Sequence, residues 1–238
     1  MKHALQLTGT ALLLALSMAA HAATDHKAVS APNGKVEFFG GAVDGEGSIN
    51  LSGSYSLPLS TYFGAQLDGL YGQLDGRSLY GAGGHLFWRN PDYALFGLTG
   101  SYLQHRSADL WRIGGEGEIY WNQITLAGQL GNQSGDFGSD GYGRLDARYY
   151  LAGDNLMFSG GGGHFDGHTV WGGDAEYLTD LGGLSLFATS GRGGNGDYYI
   201  LGGIRYYFGA KKPLMLRHRE DDPFNPLFSF ISDSPAAR

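Results

Sequence analysis

A chain of 238 residues with 42 Gly, 15 Tyr, 13 Phe, only 7 Pro and no Cys is too aromatic for a disordered polymer. It also lacks collagen's glycine period and has no material for a disulfide framework. From Lys35 to Phe208 nine Lys and Arg stand against eighteen Asp and Glu, a net charge of 9 − 18 = −9, which excludes nucleic acid as an expected partner. Beyond the N-terminal segment no apolar stretch approaches the roughly 20 residues of a spanning helix, so any spanning structure has to be a closed barrel.

The chain begins with Lys2 and His3, then an apolar run, residues 11–16, then small residues ending Ala20-His21-Ala22. A short apolar run before an A-x-A pattern reads as a cleaved secretory leader over residues 1–23, with the mature chain starting near Ala23 or Thr24. No cysteine stands at the cleavage point, so no lipid anchor is expected there. Residues 24–34 read as a short periplasmic segment ahead of the first strand.

From Val36 onward, segments of alternating polarity recur between turn signals, the repeated signature of transmembrane strands. Twelve are predicted: residues 36–43, 47–57, 62–73, 79–89, 93–104, 110–121, 124–132, 142–151, 156–165, 169–179, 184–190 and 198–208. Every second connection looks tight, as at Pro58-Leu59-Ser60, Asn90-Pro91-Asp92, Asn122-Gln123, Gly153-Asp154-Asn155 and Asp180-Leu181-Gly182-Gly183. The others, such as 104–109, 132–140 and 190–197, look longer and more polar. Short periplasmic turns and longer outside loops would place both termini in the periplasm and make the strand number even.

The sixth segment carries the clearest phase. Trp111, Ile113, Gly115, Gly117, Ile119 and Trp121 share one face, Arg112, Glu116, Glu118 and Tyr120 the other. Ten residues from Trp111 to Trp121 at about 3.4 Å each, tilted about 45°, cover roughly 24 Å, close to the ~25 Å apolar band between aromatic girdles. Tyr80 with Trp88, and Trp171 with Tyr177, repeat the arrangement. The fold expected is all-β: a transmembrane antiparallel up-and-down barrel of twelve strands over residues 35–208.

The last segment ends Gly203-Ile204-Arg205-Tyr206-Tyr207-Phe208, which resembles the C-terminal signal of Gram-negative outer-membrane barrels. With the leader and the strand pattern, residues 36–208 resemble small porin-like members of that class. The resemblance implies residence in the outer membrane, contact with its lipid and lipopolysaccharide, and recognition of Gly203, Tyr206 and Phe208 by the barrel-assembly machinery. Twelve-stranded porins for acidic oligosaccharides are similar in length, and that likeness would imply arginine tracks for an anionic sugar. In this class Phe208 normally ends the chain, whereas here residues 209–238 follow as a periplasmic tail. The tail reads as an ordered stub with a flexible end; docking on the rim, entering the lumen and binding a periplasmic partner are the alternatives.

The phase places Arg89, Arg112, Arg144, Arg148 and Arg205 on the wet face with Asp68, Glu116, Glu118, Asp146, Asp174 and Glu176. Such a mixture would pair across the interior, leaving either a narrow, weakly selective passage or a salt-bridged core. Arg144, Asp146 and Arg148 alternate on one face and read as structural pairing more than as a ligand rung. His85 reads as a hydrogen-bonding lumen residue. Asp44, Glu46, Asp75, Asp136, Asp140, Asp166 and Asp197 would make the outer mouth acidic.

No catalytic motif, metal site or cofactor is expected. His164, Asp166 and His168 lie together, but a polar hairpin explains them without a further ligand. Residues 191–196 fit G-x-G-x-x-G yet join two strands and open no helix. The functions carried forward are a passive conduit for small polar solutes, a non-conducting structural or interaction barrel, and, with least support, an outer-membrane hydrolase using the loop histidines.

Overall fold

A computed structural model describes residues 27–136, 139–151, 153–165, 167–193, 196 and 198–223; the expected leader and the end of the tail lie outside them. Twelve strands follow one another: β1 (Asn33–Val43), β2 (Glu46–Pro58), β3 (Phe63–Leu74), β4 (Arg77–Asn90), β5 (Ala94–His105) and β6 (Ala108–Trp121) form the first half. The second half is β7 (Ile124–Gly135), β8 (Asp140–Tyr150), β9 (Leu156–Phe165), β10 (His168–Leu178), β11 (Leu184–Gly193) and β12 (Tyr198–Tyr207), followed by a short helix, α1 (Leu214–Glu220).

Each strand pairs antiparallel with its sequence neighbour, and β1 pairs with β12, with Phe38 opposite Ile204, so the sheet closes into a barrel. An even strand count brings both termini to one end, called here the terminal end; the opposite end carries the other hairpins. Closure leaves no free edge, which is the condition for placing a sheet in hydrocarbon.

The connections differ from the sequence expectation. At the hairpin end residues 44–45, 75–76, 106–107 and 166–167 make two-residue turns, and the two remaining connections, 136–139 and 194–197, have four residues; turns at the terminal end run from two residues to five. The expected contrast of short turns at one end and long loops at the other is therefore overturned. Asp44-Gly45 and Asp75-Gly76 hold positive φ at both positions (53° and 83°, 54° and 64°), the geometry of tight type I′ hairpins. The polar residues read as loop instead continue the ladder, as in Gln104 opposite Asp109 and Gln133 opposite Asp140.

The outward phase is apolar. Trp111, Ile113, Ile119 and Trp121 point out while Arg112, Glu116, Glu118 and Tyr120 are buried inside, as the sixth segment predicts. Tyr55, Phe63, Tyr93, Trp121, Tyr149, Tyr177, Tyr206 and Phe208 ring the terminal end, and Tyr71, Tyr80, Trp111, Trp171 and Tyr198 ring the other. Leu67, Leu98, Leu130 and Leu145 fill the band between them. Two aromatic girdles around an aliphatic belt suit a bilayer and no aqueous surface.

Leu98 is 66% exposed in the middle of that belt. Leu98→Arg is expected to destabilise the bilayer-embedded barrel by about 2–4 kcal/mol, measured by reversible denaturant unfolding in vesicles, while Ser107→Arg in a hairpin turn should leave stability nearly unchanged.

Candidate functional site in the barrel lumen

Strand alternation sends every second residue inward, and the described lumen has three layers along its axis. At the hairpin end many inward positions are apolar. Val43, Leu74, Leu79, Leu103 and Leu110 form one buried cluster with Phe39, Leu70, Phe187, Tyr199 and Leu201. Tyr142, Phe165 and Val170 add a second cluster from β8, β9 and β10, with the Arg112 guanidinium 5.0 Å from the Tyr142 ring and 4.6 Å from Phe165. Towards the hairpins leucine and aromatic residues share the inward face with buried polar side chains such as Ser48, His105 and Gln133.

The middle layer is charged. Asp68, His85, Arg89, Arg112, Glu116, Glu118, Arg144, Asp146, Arg148, Asp174, Glu176 and Arg205 all occupy inward phases of their strands. His85 lies between two carboxylates, 3.0 Å from Asp68 and 2.8 Å from Glu116, an arrangement that a doubly protonated ring satisfies. Ser54 and Gln66 donate to Asp68 at 2.6 and 2.8 Å. Arg205 pairs with both Glu37 and Glu176. Arg144 is bidentate to Asp146 at 2.6 and 2.9 Å, whereas Arg148 reaches across to Glu118 at 3.3 Å. Two members of the three-residue rung, Arg144 and Asp146, are thus paired with each other, and the third, Arg148, also reaches Glu118. Ser159 donates to Asp174 at 2.5 Å. Arg89 is fully buried; its Nη1 donates to the Ala28 carbonyl at 3.2 Å and its guanidinium lies over Phe87.

The third layer was not foreseen as an element. After β12, Gly209 takes φ +92°, a left-handed conformation open to glycine, and the chain turns back into the terminal mouth as α1. Helix residues Leu214, Arg217, His218 and Arg219 are buried. His218 sits between the Tyr150 and Tyr207 hydroxyls, each 3.0 Å from a ring nitrogen. Arg219 donates to the carbonyls of Asn122 and Ile124 at 2.8 and 2.9 Å. Asp222 pairs with Lys35 of β1. Leu214 and Met215 pack on Tyr150, Met157, Leu178 and Tyr207.

The N-terminal segment completes this layer. Ala28 N–H donates to the Thr61 carbonyl at 2.7 Å and Ser30 N–H to the Glu220 carbonyl at 3.1 Å. Lys212 bridges Ser30, Glu220 and Asp221. Val29 is fully buried against Phe87, Leu95 and Tyr120, in space left by Gly64, where a Cβ would lie 2.6 Å from Val29 and Phe87. Sequence reasoning missed Lys35 and Glu37, and it gave entry of the tail into the lumen only as an alternative to an ordered stub with a flexible end. A usable signal was Lys35 itself, in phase with Glu37 on the inward face.

Between the apolar and terminal layers lies a cavity of about 80 Å³ lined by Arg144, Arg148, Asp174, Thr189, Arg205 and His218 among others, room for only a few water molecules. No cluster of three His, Cys, Asp or Glu that could hold a metal occurs among the described residues. His164 lies 3.5 Å from Thr169 in its hairpin; Asp166 lies outside the described residues.

No protein-family model matches the chain, and no curated protein does. Solved structures do match in fold. The KdgM porin in complex with disordered oligogalacturonate superposes with a TM-score of 0.61 at 11% identity, over 74% of this chain and 99% of that one. The KdgM porin without that description gives 0.60 at 11% identity over the same shares. The outer membrane protein Omp33 of Acinetobacter baumannii gives 0.49 at 11% identity, over 74% and 98%. Closed twelve-stranded sheet, apolar belt and charged inward wall define the class, a small porin-like outer-membrane barrel. At this identity the likeness is one of fold.

Two predictions follow from the charged layers. His85→Ala strands Asp68 and Glu116 as a buried like-charged pair, so unfolding in detergent should show a loss of about 3–5 kcal/mol, recovered in large part by adding Asp68→Asn and Glu116→Gln. Burial alone would raise the Asp222 carboxyl, but the Lys35 ammonium and, behind it, His218 hold it below the usual carboxylate value. A depressed folded-state value stabilises docking above the free-chain pKa and loses that contribution as pH falls through it. Pepsin cleavage within 209–223 should therefore appear only below about pH 4.

Proposed function

We propose that the chain is a porin-type conduit of the Gram-negative outer membrane, giving passive passage to small polar solutes from a closed resting state. The observation that carries the reading is the middle layer: a ring of charged side chains around a cavity of about 80 Å³, in a barrel wider than the eight strands that side chains alone just fill. In this reading Arg144, Arg148, Arg205 and Asp174 face the solute, while Asp68, His85, Arg89, Arg112, Glu116, Glu118, Asp146 and Glu176 hold the wall in shape. Cations and anions are balanced along the lining, which supports weak charge selectivity over a dedicated anion track.

The same reading takes residues 1–23 as the export leader and the terminal end as periplasmic. Gly203, Tyr206 and Phe208 serve as the assembly signal; Tyr206 and Phe208 both point outward with ring centroids 5.0 Å apart, a patch accessible to an assembly factor before the barrel enters lipid.

A second reading, a non-conducting barrel that braces the envelope or holds a partner, is favoured by one observation: buried clusters occupy the lumen towards both ends and leave a cavity of about 80 Å³ between them. Planar-bilayer recording separates the two. The conduit predicts small, discrete and infrequent current steps from protein whose gel mobility is heat-modifiable; silence from such folded protein would leave the structural barrel as the function.

A further inference from the structure

The lumen contains one element that is not part of the sheet, and its contacts are of an unusual kind for a core. Residues 209–223 span the terminal mouth, touching β1 at Lys35, the β6–β7 turn at Asn122 and the β8–β9 turn at Asp154, whose carbonyl accepts from Met215 N–H at 3.2 Å. Residues 28–30 close the remaining side, at Thr61 and Arg89, and are tied to α1 through Ser30. Together the two termini cover the mouth.

Most of the charged wall keeps its partners without this cover, Lys35, paired with Asp222, and Arg89, bonded to the Ala28 carbonyl, being the exceptions. Glu37 and Glu176 keep Arg205, Glu118 keeps Arg148 and the Tyr120 hydroxyl, Asp146 keeps Arg144, and Asp68 and Glu116 keep His85. When His218 leaves, Glu176 retains Arg205 and Tyr207. When Asp222 leaves, Lys35 faces a cavity that also holds Glu37. On the helix side Arg217, His218, Arg219 and Asp222 are all groups that water solvates well, and the apolar grip is confined to Leu214 and Met215. An element bound by groups with good alternatives in water, to a wall that is mostly paired without it, can leave at small cost. Gly209 supplies the joint at which it would swing.

We propose that residues 209–223, pinned by Ala28–Ser30, are a removable plug that closes the charged chamber to the terminal, periplasmic side. As regulation of the conduit this rests on the reading above, but the plug is tested by access to the chamber and not by current. The chain has no cysteine, so Thr189→Cys, on the chamber wall, places one thiol there. Its modification by a small charged methanethiosulfonate is followed in full-length protein refolded in detergent, with heat-modifiable mobility verifying each barrel. The parent should react slowly. Adding Asp222→Lys, which sets two ammonium groups face to face, should accelerate labelling at least tenfold. The reciprocal exchange, Lys35→Asp with Asp222→Lys, should restore slow labelling. Fast labelling of the parent, or equally slow labelling in all three folded proteins, would overturn the plug. Absence of current from every variant, with labelling behaving as stated, would instead remove the conduit reading and leave the plug standing.

Discussion

In hydrocarbon a peptide N–H or C=O without a partner costs several kcal/mol, and a sheet meets that demand only by having no edge. The pairing of β1 with β12 is therefore the interaction on which the rest of this molecule depends. It makes the strand count even, brings both termini to one mouth, and commits every strand to an outward face for lipid and an inward face for whatever the lumen holds. The location of the tail beside the mouth, and so its chance to enter, is a consequence of closure.

Twelve strands enclose more volume than their side chains fill without help, and the protein resolves this differently at three depths. Near the hairpins it uses leucine and aromatic packing, a layer that resists water by hydrophobicity. In the middle it uses carboxylates and guanidiniums, which at close quarters in a low-dielectric space must find partners and do so along and across strands. At the terminal mouth it inserts its own chain ends. The last solution is the least permanent, since its contacts are mostly charged or hydrogen-bonded and most of the wall is already paired behind it.

The lumen thus combines a porin-type wall with little free space. Its acidic net charge resides largely in groups that are paired inside or placed at the hairpin turns, so the balanced lining and the overall charge describe different surfaces. The structure separates them: Arg106 meets Asp75 at the rim, at 2.5 Å, while Glu37, Glu118 and Glu176 are buried with arginines.

Strand identity and phase were legible in the amino-acid order, because a period of two with aromatics at both ends, as from Trp111 to Trp121, is a local property that closure does not alter. The inward carboxylates and arginines were legible for the same reason. Loop lengths were misread at 104–109 and 132–140, where polar residues taken as loop continue the ladder, as in Gln104 opposite Asp109 and Gln133 opposite Asp140. What only the tertiary structure decided is which inward residues meet. Arg148 reaches Glu118 across the barrel wall, Lys35 meets Asp222 187 positions away, and Leu214–Glu220 form a helix inside the mouth. Those choices depend on barrel diameter and on distances between strands far apart in the chain, quantities that periodicity along one strand does not contain.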